Sequence, residues 1–226
     1  NAFEMHYSNH KEDSMSDLYL KFVNTPLGKT AAQSLGLPAP IPLNRLKRPD
    51  QPFIEGDVLV GAGNGAKAIA TLGGILNASA AKVHHASGID SLSDSAKAGN
   101  KAKALELGQG TKPTFSALIF DATGLKKPDD LRALYDFFHP TIKKLGRNAR
   151  VLVVGQNPAT CRKAPQAAAQ QALEGFVRSV GKEVGKKGST ANLVWMAPGA
   201  EKQLDSTVRF FLSPRSAYGA GQGVRI

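Results

Sequence analysis

ARVLVVG, residues 149–155, sets an unbroken apolar run between an arginine and a glycine. A strand with one wet face alternates polar and apolar side chains. This one does not, so both of its faces must be buried, as in a parallel sheet covered by helices on either side. Three further runs read the same way: DVLVGAG (57–63), SALIFDATG (116–124) and TANLVWMAPG (190–199). The segments between them carry helical spacing. Pro128-Asp129-Asp130 is a helix-start signal, because proline suits the first turn and acids suit the positive end of the dipole. Leu131, Leu134, Tyr135, Phe138, Ile142 and Leu145 then recur on one face. Pro140 should kink or divide that helix, and Gly146 should stop it. In QAAAQQALEGFVRSVGKE (166–183) and the residues just after it, Ala169, Leu173, Phe176, Val177, Val180 and Val184 form the apolar face, with Gly185 or Gly188 as the end. A last helix, about 201–212, buries Leu204, Val208, Phe211 and Leu212. The alternation predicts an α/β fold, a doubly wound and mostly parallel sheet of about five strands, with Val224-Arg225-Ile226 as the last strand.

The chain outside that pattern divides into three parts. Residues 1–14 are polar and aperiodic and precede Met15-Ser16, so they read as an expression-tag remnant. Residues 15–56 read as a helical and Pro-rich arm: short helices broken at Pro26, then Pro38, Pro40, Pro42, Pro49 and Pro52, a density that forbids a regular element. Residues 57–226 form the α/β domain. Within it, 77–114 are rich in Ala, Ser, Gly and Lys, with room for one hidden edge strand and a mobile loop.

Composition narrows the function. The net charge is +11, which suits an anionic partner. The Lys and Arg residues are scattered over helix ends and loops, with no interleaved aromatic residues to stack bases, and this argues against nucleic acid. No run of about 18 apolar residues exists, so no helix is expected to span a membrane. A single cysteine, Cys161, excludes an internal disulfide framework and predicts a cytoplasmic, reducing setting. Cys161 lies beside Arg162-Lys163, which could activate a thiol, but no partner histidine is identifiable and it reads as a bystander. His84-His85 are adjacent and point apart, and His139 beside Pro140 reads as partly buried packing, so no metal site is predicted.

Six segments in order resemble the short-chain dehydrogenase/reductase family, nearest to its 3-oxoacyl-acyl-carrier-protein reductases: VGAGNGAK (60–67), FDATG (120–124), ARVLVVGQ (149–156), QAAAQQALEGFVRSVGKEV (166–184), ANLVWMAPG (191–199) and VRFFLSPRSAYGAGQGVRI (208–226). The resemblance implies a Rossmann/flavodoxin-like fold. It also implies a tyrosine that protonates the substrate carbonyl, a lysine four residues later, and a serine that orients the carbonyl. Counting back from Ala172-Leu173-Glu174-Gly175-Phe176 places the lysine position at Gln170 and the tyrosine position at Gln166, while Gly155-Gln156 stands where the serine should be. An amide has no proton to give at any accessible pH. Gly61, Gly63 and Gly65 follow the first strand as a dinucleotide turn would, but Lys67 replaces the next glycine, and no strand ends in an acid about 20 residues later; Asp90 comes too late. Asp121 ends the second run at an asparagine position of the family, and its expected role is to bind backbone N–H groups of a neighbouring loop. Trp195 and Met196 read as core.

Within that family, SDLYLKFVNTPLGKTAAQSLGLPAP (16–40) and LIFDATGLKKPDDLRALYDFFHPTIKKLGR (118–147) are similar to the degenerate N-terminal domain of high-molecular-weight 3-oxoacyl reductases. That likeness implies a non-catalytic structural and interaction domain. Its expected partner is a catalytic reductase domain of the same polypeptide, following Ile226 and holding the NAD(H) or NADP(H). A homo-oligomer and an acyl carrier protein are further candidate partners. No catalytic, cofactor-binding or metal-ligating residue is assigned to this chain. The alternative is an independent module that binds a nucleotide, a flavin or an acyl carrier.

Overall fold

The computed structural model describes residues 15–86, 103–105 and 114–226. The expected tag remnant at 1–14, and most of the expected loop within 77–114, lie outside the described residues. The chain divides into two units, one ending at Pro42 and one running from Leu43 to Ile226.

The first unit is a helical hairpin, α1 (Met15–Val23) and α2 (Pro26–Ser34). Pro26 does not merely interrupt a helix; it starts the second one, where its missing N–H costs nothing. Thr25 caps that helix by accepting the Gly28 N–H at 3.0 Å. Gly28 has to be glycine because a Cβ there would strike the Phe22 carbonyl. After α2 the chain carries no helix or strand from residue 37 to 54.

Among the described residues the second unit holds a seven-stranded sheet in the order β3-β2-β1-β4-β5-β6-β7, parallel at every pairing. The strands are β1 (Glu55–Ala62), β2 (Ala80–His85), β3 (Lys103–Ala104), β4 (Phe115–Asp121), β5 (Leu145–Gln156), β6 (Thr190–Met196) and β7 (Gly223–Arg225). The four apolar runs are the four central strands. Their residues go to opposite faces in turn: Val58 and Val60 join one core with α3 (Ile69–Asn77) and α6 (Leu204–Leu212), while Leu59 and Phe120 join the other with α4 (Arg132–Thr141) and α5 (Ala164–Gly185). Both faces are dry, which is why the runs never alternate.

Four expectations need correction. Among the described residues the sheet has seven strands rather than about five, while the expected parallel arrangement holds at every pairing. The sequence leaves room for one edge strand within 77–114, and two lie there, β2 and β3, forming one edge; β2 reads AAKVHH, its buried positions alternating with exposed or half-buried ones, and Ala, Lys and His give little β signal. Leu145 and Gly146 do not end a helix. The helix divides near Pro140, as expected: α4 ends at Thr141, a 3-10 turn covers Ile142–Lys144, and Leu145 opens β5, paired with Phe115. Tyr135 is exposed, and Phe137 takes the core position instead. His139 is exposed too, stacked on Tyr135 with ring centroids 4.7 Å apart.

Candidate functional site

The strand order reverses between β1 and β4. In an open parallel sheet the crevice beyond the carboxyl ends of such a pair is where ligands bind. Three groups of residues meet there: the glycine turn after β1, the Asp121–Gly124 loop after β4, and the junction of β5 with α5.

The glycine turn is built for close approach, but to the protein itself. Gly65 has φ +74, so the tight turn is real. A Cβ on Gly61 would enter the Phe137 ring, and one on Gly63 would sit 2.6 Å from Leu125 Cδ2. A Cβ on Gly124 would strike the backbone of Asn64 to Ala66. The turn and the loop after β4 therefore lie directly against each other.

Asp121 occupies the start of α3. Its Oδ2 accepts the Ala68 N–H at 2.6 Å. Oδ1 accepts the Thr123 N–H at 3.0 Å and the Thr123 hydroxyl at 2.6 Å. The Lys67 N–H donates to Thr123 Oγ1 at 2.8 Å. The amides that open α3, where a dinucleotide would place its pyrophosphate, thus donate to Thr123 and Asp121. The Asp121 side chain is fully buried, and burial raises its pKa against the opposing pull of Thr123, Ala68 and Ile69.

The three positions that the sequence resemblance predicts for a reductase triad are brought together. Gln170, on α5 and completely buried, accepts the Gln156 N–H on Oε1 at 2.8 Å. Its Nε2 donates to the Ala122 and Leu125 carbonyls at 2.8 and 3.1 Å. Gln166, one turn earlier on the same helix face, donates from Nε2 to Gln156 Oε1 at 3.0 Å. Gly155 makes room for this: a Cβ there would lie 2.5 Å from Leu173 Cδ1 and 2.9 Å from Gln170 Oε1. Three amides can donate and accept hydrogen bonds, but none can release a proton or carry a charge.

Two voids border this cluster. One of about 70 Å³ lies between Lys67, Thr123, Gln156 and the Met196–Gly199 segment. A larger cleft of about 790 Å³ opens between Asn64, Lys126, Lys127, Arg132, Lys163 and Gln166. Some of its charges are already engaged: Asp130 accepts the Lys126 and Lys127 N–H groups, and Arg132 pairs with Asp136.

The remaining singled-out residues sit elsewhere. Cys161 follows Pro158–Thr160, its Sγ 3.6 Å from the Asn157 carbonyl, and burial pushes its thiol pKa up rather than down. His84 and His85 point to opposite sides of β2: His84 Nε2 bonds Asp57 at 2.7 Å, and His85 Nδ1 bonds the Ala86 carbonyl at 3.0 Å. β2 ends in this histidine pair and not in an acid. Among the described residues no three metal-ligating side chains converge, and no helix is long and apolar enough to cross a membrane. Trp195 and Met196 are core, 3% and 2% exposed. The Gln156–Gln170 bond could not be found from sequence, since a glutamine looks the same whether it faces water or ties two elements together.

No protein-family profile matches the chain, and no curated protein does. Solved structures do. A double mutant of a Serratia marcescens short-chain dehydrogenase/reductase superposes with a TM-score of 0.63 at 16% identity, over 78% of this chain and 98% of that one. Another structure of the Serratia marcescens protein gives 0.62 at 15% identity, with the same coverage. A dehydrogenase/reductase from Sinorhizobium meliloti gives 0.60 at 16%, over 76% and 94%. The second unit therefore has a reductase-type Rossmann fold.

Proposed function

We propose that this chain is a short-chain dehydrogenase/reductase that has lost its reaction. It serves as a non-catalytic structural and interaction domain of an NAD(P)H-dependent 3-oxoacyl-acyl-carrier-protein, or 3-oxoacyl-coenzyme A, reductase of fatty-acid metabolism. Its partner is a catalytic domain of the same cytoplasmic polypeptide, and the cofactor belongs to that domain. The observation that carries the reading is the mutual hydrogen bonding of Gln156, Gln166 and Gln170. These residues keep the placement of a serine, a tyrosine and a lysine while lacking any proton to deliver. Two features of the cofactor side support it. The first amides of α3 are already engaged by Asp121 and Thr123, and a phosphate brought there would meet a carboxylate. The 70 Å³ void beside Gln156 is far below the roughly 300 Å³ at which small-molecule pockets begin. The residues present do not fit a dinucleotide.

The test is calorimetry of this chain with NADH and NADPH, together with turnover of a 3-oxoacyl thioester. We expect no saturable binding and no turnover. Turnover that persists through repurification, and is lost in a Gln166→Ala variant, would overturn the reading.

The 790 Å³ cleft favours a second reading, a module that holds an anionic ligand such as an acyl-carrier phosphopantetheine, a nucleotide or a flavin. Its lysines at 126, 127 and 163 suit such a partner. Calorimetry with acyl carrier protein and with flavin mononucleotide separates the two: saturable heat that falls in a Lys126→Ala/Lys163→Ala variant belongs to this second reading.

A further inference from the structure

At the opposite edge of the sheet, where the strands begin, lies a cleft of about 380 Å³ bordered by Phe53, Glu55, Ser116, Arg147, Asn148 and Arg150. Arg150 sits on β5 between Ala117 of β4 and Thr190 of β6, and is only 3% exposed. Its Nε donates to the Ser213 carbonyl at 3.3 Å, and its Nη1 to the Asn148 and Ala149 carbonyls at 2.9 and 3.3 Å. All three acceptors are neutral. Among the described residues no carboxylate forms an ion pair with Arg150, and its Nη2 has no hydrogen-bond partner. The only sealed, partnerless side-chain atoms among the described residues are Thr190 Oγ1 and Trp195 Nε1, so the free Nη2 edge meets the cleft. A guanidinium cannot shed its proton in a protein. Folded proteins seldom bury a charge without an opposite one.

The strand is shaped to put a second cation on the same cleft. Asn148 has φ 54 and is the one non-glycine at positive φ among the described residues; its Oδ1 accepts the Asn44 N–H at 3.2 Å. This kink lets Arg147 and Arg150 border one space. Arg147 is exposed and has no ion pair among the described residues. The one acid on the lining, Glu55, is exposed and pairs with neither.

We propose that this cleft binds a small molecule through a phosphate or carboxylate group, with Arg150 Nη2 as the buried anchor and Arg147 as the clamp at the mouth. Guanidinium nitrogens match such oxyanions in geometry as well as charge, and the volume falls within the range of about 300–1,000 Å³ for small-ligand pockets.

Calorimetry of the whole chain against inorganic phosphate, citrate and acetate, at ionic strength held constant with chloride, tests this. Saturable heat with phosphate alone assigns a phosphate ligand; with citrate or acetate alone, a carboxylate ligand. Arg147→Ala, an exposed change that leaves the fold intact, should weaken binding by about tenfold, and Arg150→Met should abolish it. No saturable heat with any of the three anions overturns the proposal, as does unchanged affinity in Arg147→Ala. That last result decides the matter even should Arg150→Met fail to fold. The cleft is at the far edge from Gln156, Gln166 and Gln170, so failure here leaves the reading of the chain as a non-catalytic domain untouched.

Discussion

The Gln156 backbone N–H donates to Gln170 Oε1 at 2.8 Å, joining the end of β5 to the first half of α5. Because Gln170 also donates to the Ala122 and Leu125 carbonyls, one side chain ties three segments of the switch-point crevice. Gln170→Ala would leave the half-buried Gln156 N–H and the buried Leu125 carbonyl without this partner, and the Ala122 carbonyl with only the Leu125 N–H. It should cost on the order of 3 kcal/mol, measured as a lowered urea midpoint with an unchanged slope.

Installing a reductase triad should not create a reductase. Gln156→Ser/Gln166→Tyr/Gln170→Lys supplies a phenol and an ammonium but leaves Asp121 and Thr123 on the amides that open α3. The variant, checked for folding by circular dichroism, should show no NADH- or NADPH-dependent reduction of a 3-oxoacyl thioester. Turnover would mean that the glycine turn still admits a dinucleotide.

Asp121 sets a pH dependence of definite sign. Burial holds its folded pKa above the ordinary value, so between the two values the folded form keeps a proton that the unfolded chain has released. Its contribution to stability is therefore greatest below the ordinary aspartate range and is lost as pH rises through the raised pKa. Other carboxylates contribute as well, so the informative quantity is the stability of the native chain minus that of Asp121→Asn across pH 3–8. That difference should fall with rising pH; a flat or rising difference would refute the assignment.

Gly155→Ala should destabilise by about 1–3 kcal/mol through overpacking, because the new methyl would press on Leu173 Cδ1 and Gln170 Oε1. Pairing it with Leu173→Ala, which opens space beside it, should recover part of the loss. Thermal melts of the two single variants and the double variant give the coupling.

Cys161 should react slowly. Burial pushes its thiol up, so at pH 7 a smaller fraction is thiolate than in a free cysteine. Its rate with an aromatic disulfide reagent should lie below that of free cysteine at neutral pH and still be climbing at pH 9. A fast rate at pH 7 would show that Arg162 and Lys163 outweigh desolvation.

The elements that could be read from the chain were those with a local signature. Val151 to Val154 are apolar without alternation because both sheet faces are covered, and Leu173, Val177, Val180 and Val184 recur because a helix repeats every 3.6 residues. β2 carries little strand signal of its own because its residues are poor strand formers held by their neighbour, His84 and His85 pairing beside Leu59 and Val60 of β1. Leu145 carries no local sign of its element, because an apolar residue that follows a helix divided at a proline fits a helical face or a strand equally well.

What the sequence determined by itself was the layered parallel sheet and the presence of amides at positions 156, 166 and 170, where nothing can release a proton. Burial periodicity and residue identity are local properties, and they survive without coordinates. Only the tertiary structure decided where polar groups find partners. Asp121 turns to the start of a helix 53 residues earlier, Gln170 to a loop 48 residues before it, and Arg150 to a cleft where, among the described residues, it forms no ion pair. A hydrogen bond or a missing counter-charge depends on distances between segments far apart in the chain, and chain packing alone fixes those distances.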